Sequence, residues 1–312
     1  MDAKINKVIS LAKEYLSLSE PKKALKILLP YIKNSKFNQD LDYLNILGEV
    51  FLETNNLEKA YEVFEKACKI DPEANHSVDY FFNWGQIIGG FDALKLFDIA
   101  ISKLENQISK TNVNQNIIIK KLVSGYLSSI EIWMTELCFE EAAEKSCESL
   151  INKAIQIDPS NPEIFSMNAS IKVSQQNYQV AKESILKSWE LFQAKIESLQ
   201  TNDSSVFDSI NHNLEYIELI QPFTTLARLA IEMELYETAS SIASSIHDIN
   251  EDIVEPYYLE CFANYLQIKL LQNPQNDNYQ DSKLILNDNN VEITKLINET
   301  RASLVTAKLF LN

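Results

Sequence analysis

The stretch DYLNILGEVFLETNNLEKAYEVFEKACKIDP, residues 42–72, constrains the fold more than any other. With a unit starting at Leu41, the residues Leu44, Leu47, Gly48, Phe51, Ala60, Phe64, Ala67 and Pro72 mark the spacing of two antiparallel helices, A and B, closed by a proline. Small residues belong where two helix backbones approach, here Gly48 and Ala60, and large ones fill the groove beside them, here Phe51 and Phe64. A lone hairpin of this kind cannot bury its apolar faces, so it must stack on others.

The sequence supplies those others. The frame returns from Ile5 (Val8, Leu11, Ala12, Tyr15, Ala24, Leu28), and from Ser128, where Cys147 takes the small crossing position ahead of Ile151, Ala154 and Pro159. It continues from Pro162 (Phe165, Ala169, Ala181, Ile185) and from Ile220 (Phe223, Leu226, Ala227, Ala239), with a degenerate unit near Val254 carrying Tyr257 and Tyr258. The 34-residue period is that of tetratricopeptide repeats. Regular repeats are placed near residues 5–38, 41–74, 128–161 and 162–195, an irregular unit with Trp84–Gly85 at 78–127, and degenerate repeats at 220–312. Polar linkers fall at SKTNVNQN (109–116), QTNDSS (200–205) and NPQNDNYQD (273–281), with more Asn and Asp at 287–290. The last helix, VEITKLINETRASLVTAKLFL, has helical spacing suited to a cap. The expectation is an all-α chain: one tetratricopeptide-repeat α-solenoid domain over residues 1–312, a right-handed superhelix of about six to seven hairpins. Five glycines and eight prolines in 312 residues agree, since many-stranded β folds and phosphate loops need more glycine.

Charge narrows the function. Lys plus Arg number 28 against 44 Asp plus Glu, a formal net charge of −16, which disfavours nucleic acid and anionic membranes and suits a basic partner. No secretory leader pattern appears at MDAKINKVIS and no apolar run reaches the length of a membrane span. The four cysteines form no CxxC pair, so free thiols in a reducing compartment are expected; Cys138 and Cys147 are read as small buried hydrophobes. His76, His212 and His247 are scattered, and no phosphate-binding or nucleophile motif occurs. No enzyme activity, cofactor or metal is expected.

Helix A residues at positions 2, 5, 9, 12 and 13 of each unit are expected on the concave face. This frame places Asp42, Asn45, Glu49, Leu52 and Glu53 there, then Asp79, Phe82 and Gln86, then Ser129, Ile132, Glu136, Phe139 and Glu140, then Glu163, Ser166, Ser170, Val173 and Ser174. Glu232, Glu255, Tyr258 and Phe262 follow in the C-terminal units, with Arg228 as a counterexample. The acids (Asp42, Glu49, Glu53, Asp79, Glu136, Glu140, Glu163, Glu232, Glu255) would attract Lys and Arg and repel the acidic tails that some such repeats clamp. Phe82, Phe139, Tyr258 and Phe262 are the candidate apolar anchors, with ordinary inter-repeat packing as the alternative. Glu131 sits at a bulky aromatic position of the frame; either the frame shifts locally and Trp133 packs, or Glu131 meets a basic group of the partner.

The segment from Glu131 to Trp189, with EIWMTELC, AEKSCESL, DPSNPE and VSQQ, resembles the dedicated assembly chaperones of the large-subunit ribosomal protein L-four. LGEVFLETNNLEKAYEVFEKACKIDP and FFNWGQIIGGFDAL fit the same family. The resemblance implies a partner, newly made L-four, whose basic internal extension is held in the groove, kept soluble and accompanied to the pre-ribosome. It implies cytoplasmic and nuclear locations, and a nuclear import receptor met through the client. Relatives are expected to carry a longer acidic or polar tail than the KLFLN ending here. The rival reading is a generic scaffold joining subunits of another complex, with surface acidity serving solubility.

Overall fold

The computed structural model describes residues 2–110, 115–201, 216–286 and 290–310. Residues 111–114, 202–205 and 287–289 of the polar linkers, and His212, lie outside the described residues. Helices account for the regular structure, with no strand among the described residues. The chain divides into two compact units, Met1–Pro159 and Ser160–Asn312.

The first unit holds four hairpins. They are α1 (Asp2–Ser17) with α2 (Pro21–Leu28), α3 (Leu41–Glu53) with α4 (Leu57–Ile70), α5 (Asp79–Ile88) with α6 (Gly90–Ile108), and α7 (Gln115–Met134) with α8 (Ala143–Ile157). First helices neighbour first helices: α3 contacts both α1 and α5. Helix α3 starts where Asp40 Oδ1 accepts the Tyr43 N–H at 2.9 Å, satisfying one of the donors that a helix leaves open. It stops at a turn in which Asn56 N donates to Phe51 O at 2.8 Å while Asn55 adopts φ +56°. The same turn recurs at Ser19 in this unit and at Gln176 and Glu234 in the second, so one local device folds these four hairpins back.

Packing follows the repeat. Gly48 lies against the Phe64 ring, so closely that a Cβ on it would sit 2.4 Å from Phe64 Cε1. Gly85 repeats the arrangement against Phe97, at 2.3 Å. Phe51, Phe64, Phe81, Phe97, Tyr43, Tyr80 and Tyr126 are fully buried. Between α4 and α5, the Asp71 carboxylate accepts Tyr80 OH (2.5 Å), His76 N (2.8 Å) and Asn75 N (2.9 Å), closing the inter-repeat turn around one buried anion.

The second unit holds α9 (Pro162–Ser174) with α10 (Tyr178–Thr201), α11 (Ile220–Glu232) with α12 (Tyr236–Ile249), and α13 (Val254–Gln272) with α14 (Val291–Phe310). Its core joins Ala169, Ile185, Phe223, Ala227 and Ala239, which the period assigns, with Phe192, Ile242 and Leu266 beside them. Helix α14 closes this unit by packing Ile293 and Ile297 on Ile268 of α13.

Helix α7 departs from the 34-residue frame. It ends at Met134, and the turn to α8 runs over residues 135–142, against residues 54–56 between α3 and α4. The longer turn separates the registers of the two helices. The frame from Ser128 fits α8, where Cys147, Ile151 and Ala154 are buried, but it misplaces the helix before it. Cys138 is consequently exposed in that turn, not buried as expected, while Cys147, Cys68 and Cys261 are buried. Glu131 is exposed, and Trp133 packs edge-on against Phe91 at 5.9 Å, so the local frame shift is the reading the structure supports.

Candidate partner-binding face

In the first unit, α1, α3, α5 and α7 contribute side chains to a shared charged cluster. Glu49 is half-buried on α3 and accepts the Asn45 Nδ2–H at 2.7 Å. Burial, then the nearby Asp79 carboxylate, push the Glu49 carboxyl above its ordinary range; Asn45, Lys13 and Lys121 pull the other way. Asp79 begins α5 and accepts Lys121 Nζ of α7 at 2.5 Å and Ser77 Oγ at 3.0 Å. Asn45 Oδ1 is buried and accepts no hydrogen bond. Asp42, exposed on the first turn of α3, meets His76 Nε2 at 2.9 Å. Glu53 is exposed at the end of α3.

The candidates after α7 have different places. Glu136 lies in the long turn and its Oε2 accepts Gly90 N at 2.7 Å, tying that turn to the start of α6. This contact needs Gly89, whose φ is +68° and whose Cβ would fall 2.2 Å from the same oxygen. Glu131, Gln86, Ser128, Thr135 and Glu136 line an open cavity of about 390 Å³, floored by Ile132 and Phe97. Phe82 is partly buried, 5.5 Å from the Phe97 ring and seated over Gly125, a packing role. Phe139 is 99% exposed and Glu140 is exposed beside it, both in the turn and off the helix that the frame gave them.

In the second unit the candidates on α13 come together. Glu255, Tyr258 and Phe262 follow at helical spacing, and the Tyr258 and Phe262 rings stack 5.8 Å apart, only 8° from parallel. Tyr258 is 62% exposed and Phe262 37%, so this aromatic pair faces water. Arg228 of α11 forms an ion pair with Glu255. Glu232 is exposed at the end of α11, and Glu163 is exposed on α9, where its N–H is capped by Asn161 Oδ1 at 3.0 Å.

Sequence reasoning missed the bases. Lys13 stands at the ninth position of the unit from Ile5, where only acids and aromatics were sought, while the frame from Ser128 left Lys121 outside its unit; a unit begun at Gln115 includes it. The remaining titratable group of note is His247, which stacks on Tyr257 at 3.8 Å with its Nδ1 3.7 Å from Glu260 Oε2. Glu260 also accepts Ser303 Oγ at 3.0 Å, so the cluster pins α14 to α12 and α13. Among the described residues no group of three or more His, Cys, Asp or Glu is placed to hold a metal ion, and no helix is long and apolar enough to cross a membrane.

Repeated hairpins with small residues at each crossing and first helices side by side define a tetratricopeptide-repeat α-solenoid. Residues 41–73 match the family described as tetratricopeptide repeat, and residues 252–312 match the one described as ACL4 C-terminal domain. The chain is 27% identical over 277 residues to the probable assembly chaperone of rpl4 from Schizosaccharomyces pombe, covering 88% of this chain and 78% of that one. It is 25% identical to the protein of the same name from Emericella nidulans, over 73% of this chain and 55% of the other. The solved structure of an assembly chaperone of RpL4 (Acl4, residues 1–338) superposes with a TM-score of 0.70 at 20% identity, covering 87% of this chain and 99% of that one. The resemblance to the assembly chaperones of ribosomal protein L-four, drawn above from EIWMTELC and its neighbours, is borne out.

Proposed function

We propose that this chain is a dedicated chaperone of the ribosomal protein rpl4. It takes the client's basic internal extension on its acidic first-helix faces, keeps the client soluble, and delivers it to the pre-ribosomal large subunit. The observation that carries this reading is the match to the Schizosaccharomyces chaperone across 88% of the chain. The formal charge of −16 supports it, as do the carboxylates of Glu49, Asp79 and Glu255 on first helices and the exposed Tyr258–Phe262 stack. Aromatic faces and carboxylates together suit arginine and lysine side chains. Binding and release supply the action without bond chemistry, and the route runs from cytoplasm to nucleus, with an import receptor joining through the client.

Co-expression tests the reading. Full-length rpl4 made with this chain is expected in the soluble fraction and to co-purify with it at one-to-one stoichiometry. rpl4 lacking its internal extension is expected to lose that rescue. Rescue independent of the extension would contradict the assigned binding mode, and no rescue would contradict the function.

A further inference from the structure

Three of the carboxylates on the first-helix faces already hold a base from the same chain: Asp79 holds Lys121, Glu255 holds Arg228 and Asp42 holds His76. The first two pairs run between consecutive first helices, α5 to α7 in one unit and α11 to α13 in the other. We propose that Lys121 and Arg228 are specificity-determining place-holders, which occupy the carboxylates a basic segment would take and thereby select for arginine over lysine. The proposal rests on the reading that these faces bind a basic segment, and adds which cation they prefer and why.

The argument is one of exchange. A lysine from a partner that reached Asp79 would displace Lys121 and make a contact of the same kind, so little is gained. A guanidinium has more to offer. Beside Asp79 stands the Glu49 carboxylate, which accepts one amide hydrogen bond, from Asn45. Two carboxylates neighbour each other there, and the five donors of an arginine can engage Glu49 while Lys121 stays on Asp79, whereas an ammonium acts as a point charge that must displace Lys121. In the second unit the resident base is itself an arginine, so a partner lysine reaching Glu255 would exchange a guanidinium for an ammonium, while a partner guanidinium can lie on the exposed Tyr258–Phe262 stack with Arg228 left in place. A chain of net charge −16 would otherwise attract any polycation, and self-pairing at these carboxylates removes part of that indiscriminate attraction.

The test compares wild type with Lys121→Gln and Arg228→Gln by calorimetric titration. The probes are an arginine-bearing peptide from the internal extension of rpl4 and the same peptide with every Arg replaced by Lys. Arg228 is largely exposed, so its variant should melt within about two degrees of wild type, whereas Lys121 is half-buried between Asp79 and Glu49, so its variant should melt a few degrees lower and is titrated well below its midpoint. The expected result is that wild type prefers the arginine peptide. Each variant should tighten the lysine peptide by about fivefold and the arginine peptide by about twofold, as expected for release of one exposed ion pair. A wild type that binds, with variants that bind no tighter or that keep the full arginine preference, overturns the proposal alone. A wild type and variants that leave both peptides unbound overturn it together with the reading beneath it. A variant that binds where wild type does not supports it in its strongest form.

Discussion

On the proposed reading, Glu49 is the residue at which stability and binding would oppose each other. Its carboxyl is half-buried beside Asp79, and both effects make ionisation harder, so its folded value stands above the unfolded one. A raised carboxyl means that the folded chain holds the proton to higher pH than the unfolded chain. Stability from this group is therefore lost as pH rises from the ordinary carboxylate range through the folded value. Glu49→Gln keeps the acceptor for Asn45 and removes the charge. It should raise the urea-unfolding free energy at pH 7 by about 0.5 kcal/mol, and flatten the fall in stability between pH 4 and 7 relative to wild type. The same variant should weaken the basic peptide severalfold. A variant that is less stable at pH 7, or that binds unchanged, would show that Glu49 serves packing and not the partner. The repeat frame put Glu49 and Asp79 on one face, but their pairing with Lys121 was not legible in the sequence. The chain separates Glu49 from Asp79 and Lys121, and only the stacking of first helices brings the three together.

The hairpin is the element that the sequence describes best. Leu41, Pro162, Ile220 and Val254, taken as unit starts, are also the first residues of α3, α9, α11 and α13, and Val291 opens α14. The period is legible because each crossing allows so little room. Gly48 illustrates this: a glycine inside a helix costs about 1 kcal/mol relative to alanine, yet an alanine Cβ would fall 2.4 Å from Phe64 Cε1. The ring is fully buried and must move, so Gly48→Ala should destabilise by about 1–3 kcal/mol in urea denaturation despite its better helix propensity. A stabilised variant would mean that the crossing is loose. The long turn over residues 135–142 escaped the reading for the converse reason. An insertion between two helices alters neither helix's own pattern, so Cys147 still matched while Phe139 and Glu140 were carried off their helix.

For the whole molecule, the fold class follows from repetition, and the likeness to assembly chaperones of L-four was first legible at residues 131–189. The charged face was legible in composition but only partly in position. Composition counts acids without their partners, whereas the structure shows several of them paired within the chain. On the proposed reading, the carboxylates and aromatic rings described in each unit are what a basic client segment would meet. The central claim is that this face recognises a basic segment of rpl4 by sequence as well as by charge. The most direct measurement is titration of the protein with a peptide from the internal extension of rpl4 and with its scrambled version, each at about 50 mM and about 300 mM salt, where the screening length shortens from roughly 14 to 6 Å. The account predicts tight binding of the native peptide that weakens with salt but stays well above that of the scrambled one at both concentrations. Equal binding of the two peptides, vanishing together at the higher salt, would contradict it and reduce the acidity to a nonspecific field.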